Sequence, residues 1–285
     1  MSRESFWTED PVGLLRVGEG FRLDNVDTDA TPGFEGGKAE GQAALEEGAM
    51  ILAELQELLF ANSRMGDDPR RVLLVLQALD TAGKGGMVKH VMGAVDPQGV
   101  KLTAFKKPTP EELEHDFLWR VRKAVPEAGL IGVFDRSHYE DVLISRVREL
   151  ATAAEIERRY TAINDFEAEL AASDTTIIKV MLHISADEQK ERLEERLERP
   201  DKHWKYNPSD IDERLLRPKY MEAFQVVFDR TTTPDAPWYV IPADRKWYAR
   251  LVVQHLLIQA LEAMDLEWPK ADFDVEAEKA RLAAS

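Results

Sequence analysis

The sequence predicts an α/β fold in which a mostly parallel sheet is covered by helices on both faces. Three observations predict it. Apolar runs of strand character alternate along the chain with stretches of helical periodicity, the pattern left by strand–helix–strand crossovers. The first run, Val72 to Ala78, is apolar at every position except Gln77, as expected of a strand buried on both faces. That run breaks into Asp80-Thr81-Ala82-Gly83-Lys84-Gly85-Gly86 and resumes as a helical pattern from Met87. Strand, glycine-rich turn and helix together are the setting in which a phosphate-binding loop forms.

Residues 1 to about 40 show little periodicity and many Gly, Asp and Pro residues, and read as an extended arm. From Lys38 to Asn62 a stripe of Leu45, Ile51, Leu52, Leu55, Leu58 and Leu59 predicts a helix packed over the sheet. After the glycine-rich turn and its helix, Asp96-Pro97-Gln98-Gly99 predicts a turn and Val100–Phe105 a short strand. Thr109-Pro110-Glu111-Glu112 has capping-box spacing with proline at the first helical position, and opens a helix to about Val125. Gly129–Phe134 is the next strand and ends at Asp135-Arg136-Ser137. Glu155–Ser173 reads as helix and Thr175–Ile184 as strand, and Ser185-Ala186-Asp187-Glu188 caps a strongly charged helix that ends near Arg199-Pro200. A loop over Asp201–Pro208, a helix over Asp210–Arg230, a strand over Trp238–Pro242 and a helix over Trp247–Met264 complete the series. There is no internal repeat, and the tail after Trp268 is acidic and peripheral. The expected organisation is an arm (1–40), one domain (41–268) and a tail (269–285).

Composition narrows the function. With 285 residues, 44% hydrophobic and 32% charged, the chain has the make-up of a soluble globular protein able to bury a core. The absence of cysteine excludes disulfides, thiolate metal sites and cysteine nucleophiles. No apolar run approaches the roughly 18 residues needed to span a bilayer, and no apolar signal core opens the chain, so a cytoplasmic location is expected. A net charge of −16 argues against nucleic acid or an anionic membrane as partner, and makes local basic clusters informative.

In the loop, glycines let successive backbone N–H groups of Thr81, Ala82, Gly83, Gly85 and Gly86 point into one concavity, and the following helix adds its positive end. Lys84 brings a mobile cation to outer phosphate oxygens. Against the usual G-x-x-x-x-G-K-[ST] pattern, Ala78 replaces the first glycine and Gly85 the metal-binding hydroxyl, so Asp80 is the expected oxygen ligand for a metal. A glycine-rich turn that binds nothing is the alternative. Asp135 ends a second strand at the same edge, where an acid holds phosphate-bound Mg²⁺ in phosphate-loop proteins, and Arg136 beside it can grip phosphate bidentately. An isolated strand-end Asp is more often a turn former.

A second cluster comprises Arg192, Arg196, Arg199, Lys202 and Lys205. The three arginines share a helical face, and residues 196–205 carry four basic and two acidic side chains, net +2. This predicts a lid, about 192–210, closing over phosphates; a solvated helix with Glu–Arg pairs is the alternative. Lys106 and Lys107 follow the second strand and face the same edge, unless they only form a surface turn. The histidines show no metal-ligand spacing, and Ser137 lacks a nucleophile elbow.

The segments LQALDTAGKGGMVKHV, PQGV, FKKPTPEELEHDFLWR, FDRSHYEDVL and RPDKHWKYNPSDIDER, collinear from about Leu14 to Leu257, together resemble the polyphosphate kinase 2 family. The resemblance implies a thymidylate-kinase-like, three-layer P-loop kinase fold with a helical lid. It also implies reversible, Mg²⁺-dependent phosphoryl transfer between inorganic polyphosphate and nucleotides. By position Asp80 and Asp135 match the family's essential loop acids, Lys84 and Arg136 its phosphate-binding residues, and Arg196 to Lys205 its lid. RSHYED, where many members have RSWYNR, looks like the subgroup acting on both AMP and ADP, with GMP and GDP as further acceptors; Gly85 and Asp135 depart from that subgroup's pattern. A homo-oligomer, dimer or tetramer, is expected. Two other readings stand beside this one: an ATP-dependent P-loop kinase of a small metabolite, which the missing Ser/Thr after Lys84 disfavours, and a non-catalytic polyphosphate-binding protein.

Overall fold

The computed structural model describes residues 6–66 and 68–285. Five strands, β1 (Arg71–Ala78), β2 (Val100–Ala104), β3 (Ile131–Asp135), β4 (Thr175–His183) and β5 (Trp238–Pro242), form one sheet in the order β2-β3-β1-β4-β5. Every pairing among them is parallel. The helices are α1 (Pro11–Leu15), α2 (Lys38–Gly66), α3 (Lys84–His90), α4 (Pro110–Leu113), α5 (Trp119–Ala124), α6 (Glu140–Val147), α7 (Ala153–Ala172), α8 (Ala186–Glu198), α9 (Ser209–Leu215), α10 (Arg217–Thr231), α11 (Lys246–Glu262) and α12 (Val275–Ala283).

β1 explains the layering. Its residues alternate between faces, so Val72, Leu74 and Leu76 pack with α2, α3 and α11, while Leu73 and Val75 pack with α5, α6, α7 and α10. Both faces are therefore dry, which is why the strand reads as a continuous apolar run. Truncating one of its leucines, Leu74→Ala for instance, would cost about 2–5 kcal/mol. On the first face α2 lies close against α11. A Cβ at Gly48 would run into the Gln254 side chain, so this glycine permits the approach.

The predicted parallel sheet with two helical layers is what the chain forms. Several boundaries differ. The segment 110–125 is two short helices, because Asp116 caps a new turn by accepting from Leu118 N–H. The helix expected over 210–230 breaks at Leu216, just before Pro218 in the first turn of α10. Helices α1, in the segment read as an extended arm, α6 and α12 lie where none was expected.

The arm does not stand away from the domain. Val17 N–H donates to Trp238 O at 2.8 Å, and Arg16 and Tyr239 form one antiparallel bridge, so the arm covers the β5 edge. Thr28 Oγ1 then donates to Asp244 Oδ2 at 2.6 Å and Tyr248 Oη to Pro32 O at 2.7 Å. Residues 1–5 of the expected arm lie outside the described residues. Among these, no helix is long and apolar enough to cross a membrane.

Candidate active site

In the order β2-β3-β1-β4-β5 the crossovers change direction beside β1, and the carboxyl ends of β1 and β3 open onto one crevice. Leu76 is in register with Asp135, which delivers the two following loops to the same place. They touch: Arg136 Nη2 donates to Asp80 Oδ1 at 2.8 Å, and Arg136 N–H donates to Leu76 O at 3.1 Å.

Both loops hold non-glycine residues in the left-handed region, Thr81 at φ 68° and Arg136 at φ 60°. Each costs on the order of 1 kcal/mol or more and persists only where its surroundings fix it. Gly83, at φ 117°, occupies a conformation that a side chain would strain, and it opens α3. The first turn of α3 is thus aimed at the crevice from a backbone that only this glycine allows.

Lys84 is buried, and its Nζ donates to Ala78 O at 3.0 Å, across the mouth of its own loop. Burial, with Arg136 close by, pulls its pKa below the ordinary lysine value, against Asp80, Asp135 and Glu140, which raise it. Burial also acts to lower the Arg136 pKa, but Glu140, Asp80 and Asp135 outweigh it and the guanidinium is held more firmly charged. Burial pushes the Glu140 carboxyl upward, with Arg136 and Lys84 opposing. Gln77, the one polar residue of β1, belongs to this cluster. With its amide turned so that each atom has a partner, Nε2 donates to Glu140 Oε1 at 2.9 Å and the oxygen accepts from Ser137 Oγ at 3.0 Å.

Asp135 Oδ1 is buried and accepts no hydrogen bond among the described residues. A buried carboxylate oxygen without a donor is costly unless a cation is to meet it. No cluster of three or more His, Asp or Glu able to hold a metal occurs among the described residues. Two carboxylates completed by substrate phosphates suit Mg²⁺, which keeps few protein ligands. Asp80 and Asp135 therefore fit such an ion.

Phe105 N–H donates to Asp135 O at 3.0 Å, which ties the end of β2 to the same edge, and Arg120 Nη1 donates to Lys106 O at 2.9 Å. Lys106 and Lys107 are exposed and line a cavity of about 670 Å³. Its lining mixes charged side chains, among them Asp80, Arg136, Glu140, Asp141 and Arg159, with apolar ones such as Leu143, Ile144 and Phe224. A cavity lined by both ionic and apolar side chains suits a ligand that carries phosphate together with a flat ring.

The lid residues are placed differently. Arg196 Nη1 donates to Lys205 O at 3.1 Å and pairs with Asp210 at 3.4 Å. Arg199 is 48% exposed and pairs with Glu195 and Asp201, each at 2.9 Å. Lys205 Nζ sits 4.9 Å from the ring centre of the exposed Trp204. Arg196, Arg199 and Lys205 thus bond within their own segment and are not brought onto the loop. Arg192, on the same helix, is buried against the loop from behind.

One part of the site went unread in the sequence. Beneath Arg136, Tyr139 Oη donates to Glu167 Oε1 at 2.7 Å, and Lys179 Nζ donates to Glu167 Oε2 at 2.6 Å and to Thr231 O at 2.7 Å. His138 Nε2 lies 3.2 Å from Glu167 Oε1. Burial works to raise the Glu167 pKa, but Lys179 and His138 hold it below the usual carboxylate value. This network fixes the loop that carries Arg136. Its signal was present: a lone lysine in the apolar run TTIIKVMLH.

Three comparisons bear on this site. The family model "Polyphosphate kinase 2" matches residues 36–269. The chain is 45% identical over 255 residues to an AMP/ADP-polyphosphate phosphotransferase of Meiothermus ruber, covering 88% of this chain and 92% of that protein. It is 38% identical over 270 residues to an ADP-polyphosphate phosphotransferase of Rhodopseudomonas palustris, covering 90% and 91%. It also superposes on the crystal structure of polyphosphate kinase 2 from Arthrobacter aurescens TC1 with a TM-score of 0.96 and 59% identity, covering 98% of each chain.

Proposed function

The chain belongs to the polyphosphate kinase 2 family, and from that premise we propose that the β1–β3 crevice transfers phosphoryl groups between inorganic polyphosphate and adenine nucleotides, both AMP and ADP. The observation that carries the assignment to this crevice is the Asp80–Arg136 contact at 2.8 Å, which unites two strained loops that both line the cavity.

Phosphoryl transfer asks for positioning and charge neutralisation more than for covalent help. The backbone N–H groups of Thr81, Gly83 and Gly85, with Lys84, hold one phosphate group and Arg136 the next; contrary to the expectation, the N–H groups of Ala82 and Gly86 are taken by Leu79 O at 3.3 Å and Gly83 O at 2.7 Å. When phosphate arrives, Lys84 exchanges the Ala78 carbonyl for a phosphate oxygen. Asp80 and Asp135 would hold Mg²⁺, which supplies charge stabilisation to the oxygens that gain charge. Apolar lining residues such as Leu143, Ile144 and Phe224 take the base of the acceptor nucleotide. Lys106, Lys107 and the lid cations Arg196, Arg199 and Lys205 form a track for the polyphosphate chain.

Because one phosphoanhydride is exchanged for another, the reaction runs readily in both directions. RSHYED, shared in form with the subgroup acting on AMP and ADP, supports both acceptors, as does the likeness to the Meiothermus ruber protein. We place the enzyme in the cytoplasm, where its nucleotides are, as a homo-oligomer, dimer or tetramer. Incubation with polyphosphate and each of AMP, ADP, GMP and GDP, without ATP, tests the assignment. Phosphorylated nucleotide should form from AMP and from ADP; no product from any of the four would overturn it.

A further inference from the structure

The lid helix α8 reaches the phosphate loop with two side chains, Gln189, which also lines the crevice, and Arg192, which does not. Gln189 Nε2 donates to Asp80 O at 3.3 Å, and Arg192 Nη1 donates to Thr81 O and Ala82 O, each at 3.0 Å. Three consecutive carbonyls of the loop are therefore held by one turn of one helix. The rest of the Arg192 fork is also occupied: Nη2 donates to Ala243 O at 2.7 Å and Asp244 O at 3.0 Å, and Nε to Glu188 Oε1 at 2.6 Å. Arg192 is 5% exposed.

In a planar trans peptide the C=O of one residue and the N–H of the next point in opposite directions. Holding the carbonyls of Asp80, Thr81 and Ala82 toward α8 turns the N–H groups of Thr81, Ala82 and Gly83 the other way. Ala82 N–H closes the turn on Leu79 O at 3.3 Å; the N–H groups of Thr81, Gly83, Lys84 and Gly85 meet no acceptor among the described residues. A cationic fork on the carbonyl side polarises the same peptide units and strengthens them as donors. It also stabilises Thr81 at φ 68°.

We propose that Arg192 is a positioning residue for the reaction: from behind, it shapes the anion-binding concavity of the phosphate loop and couples it to the lid helix. The idea rests on the phosphate-loop reading given above. Lysine cannot replace it, because one ammonium cannot span carbonyls from two separate loops as a planar fork does.

The test uses the full chain with inorganic tripolyphosphate as probe, each variant assayed well below its own melting temperature. Arg192→Lys should fold, with binding of tripolyphosphate weakened at least about tenfold and turnover lowered with it. Arg192→Ala should lose more, and added guanidinium ion should restore part of both. Tripolyphosphate binding by Arg192→Lys equal to that of the unaltered chain overturns this inference alone. Loss of melting temperature in Arg192→Ala with normal tripolyphosphate binding by the folded fraction also overturns it, since that is what a purely structural arginine would give. An unaltered chain that binds no tripolyphosphate overturns the phosphate-loop reading together with this inference.

Discussion

The two basic regions of the site are built in opposite ways. At the strand edge, Lys84 and Arg136 are held by neighbours that leave them little choice: an occupied backbone carbonyl, an ion pair with Asp80, and a dry network under the loop. On the lid, Arg199 and Lys202 pair with carboxylates of their own segment in solvent, and Trp204 is 78% exposed. The strand edge resembles a preorganised electrostatic site, whose groups need little movement to meet developing charge beyond the trade by Lys84 of the Ala78 carbonyl for phosphate. The lid must exchange partners first, and its weak, solvent-screened pairs let it do so readily. One side was built by strain and burial, the other by weak pairs.

The largest effect should come from the rigid side. Asp80→Asn or Asp135→Asn removes one of two carboxylates fitted for Mg²⁺, and Asp80→Asn also weakens the hold on Arg136. Turnover should fall at least about a hundredfold, equivalent to about 2.7 kcal/mol of transition-state stabilisation. Full turnover in either variant, or activity indifferent to EDTA, would show that these acids do not hold a catalytic cation.

The scaffold behind the loop should also respond to acid. His183 is buried at the end of β4, and burial, reinforced by Arg217, lowers its pKa to about 4 from 6.5. The folded state thus keeps it neutral where the unfolded chain would protonate it. Its share of stability is complete above about pH 6.5 and is lost as pH falls toward 4, about 2 kcal/mol of it by pH 5. Thermal melts from pH 7 to 5 should therefore fall less steeply in His183→Gln than in the unaltered chain. Parallel slopes would place the acid sensitivity elsewhere.

Much of the rigid side was legible in the sequence, because burial on both faces writes β1 and β3 as apolar runs and their ends mark the edge. What could not be read was lateral. The order of the strands, and hence the meeting of Asp80 with Arg136, depends on packing between distant segments. Lys179 and Glu167 lie in different elements and become a pair only in three dimensions. Arg192 was misplaced for a related reason. Helical spacing puts it on one face with Arg196 and Arg199, yet the first half of α8 packs on the loop and the second half runs into water. Arg192 is 5% exposed and Arg199 48%, although the residues are two turns apart. Periodicity tells which face a residue is on, but not how far along the helix the covering neighbour extends.

Lys106 and Lys107 sit between the two regimes, exposed but anchored through Arg120 on the Lys106 carbonyl. Replacing both with Ala should raise the Michaelis constant for polyphosphate about tenfold, about 1.4 kcal/mol, and leave that for ADP nearly unchanged. Added salt should weaken the donor more than the nucleotide, since a long polyanion spans several exposed cations. Equal shifts in both constants would mean that the lysines serve no donor-specific track.

The smallest effect, and the sharpest contrast with the strand edge, concerns Arg199. In this structure its guanidinium is shared between Glu195 and Asp201, and both partners are themselves exposed. Deleting it removes two solvent-screened pairs, so the melting temperature should change by no more than about 1–2 °C. If Arg199 leaves these carboxylates for the polyphosphate when the lid closes, Arg199→Ala should lower kcat about threefold. That loss should shrink as salt rises, because salt screens the contact in the unaltered chain. Freed of their arginine, Glu195 and Asp201 would also repel the incoming polyanion. A double variant, Arg199→Ala with Asp201→Asn, should therefore recover part of the rate. A fall in melting temperature as large as that of a core truncation, with kcat unchanged, would instead make Arg199 part of the lid's packing, and the two regions would then be built alike.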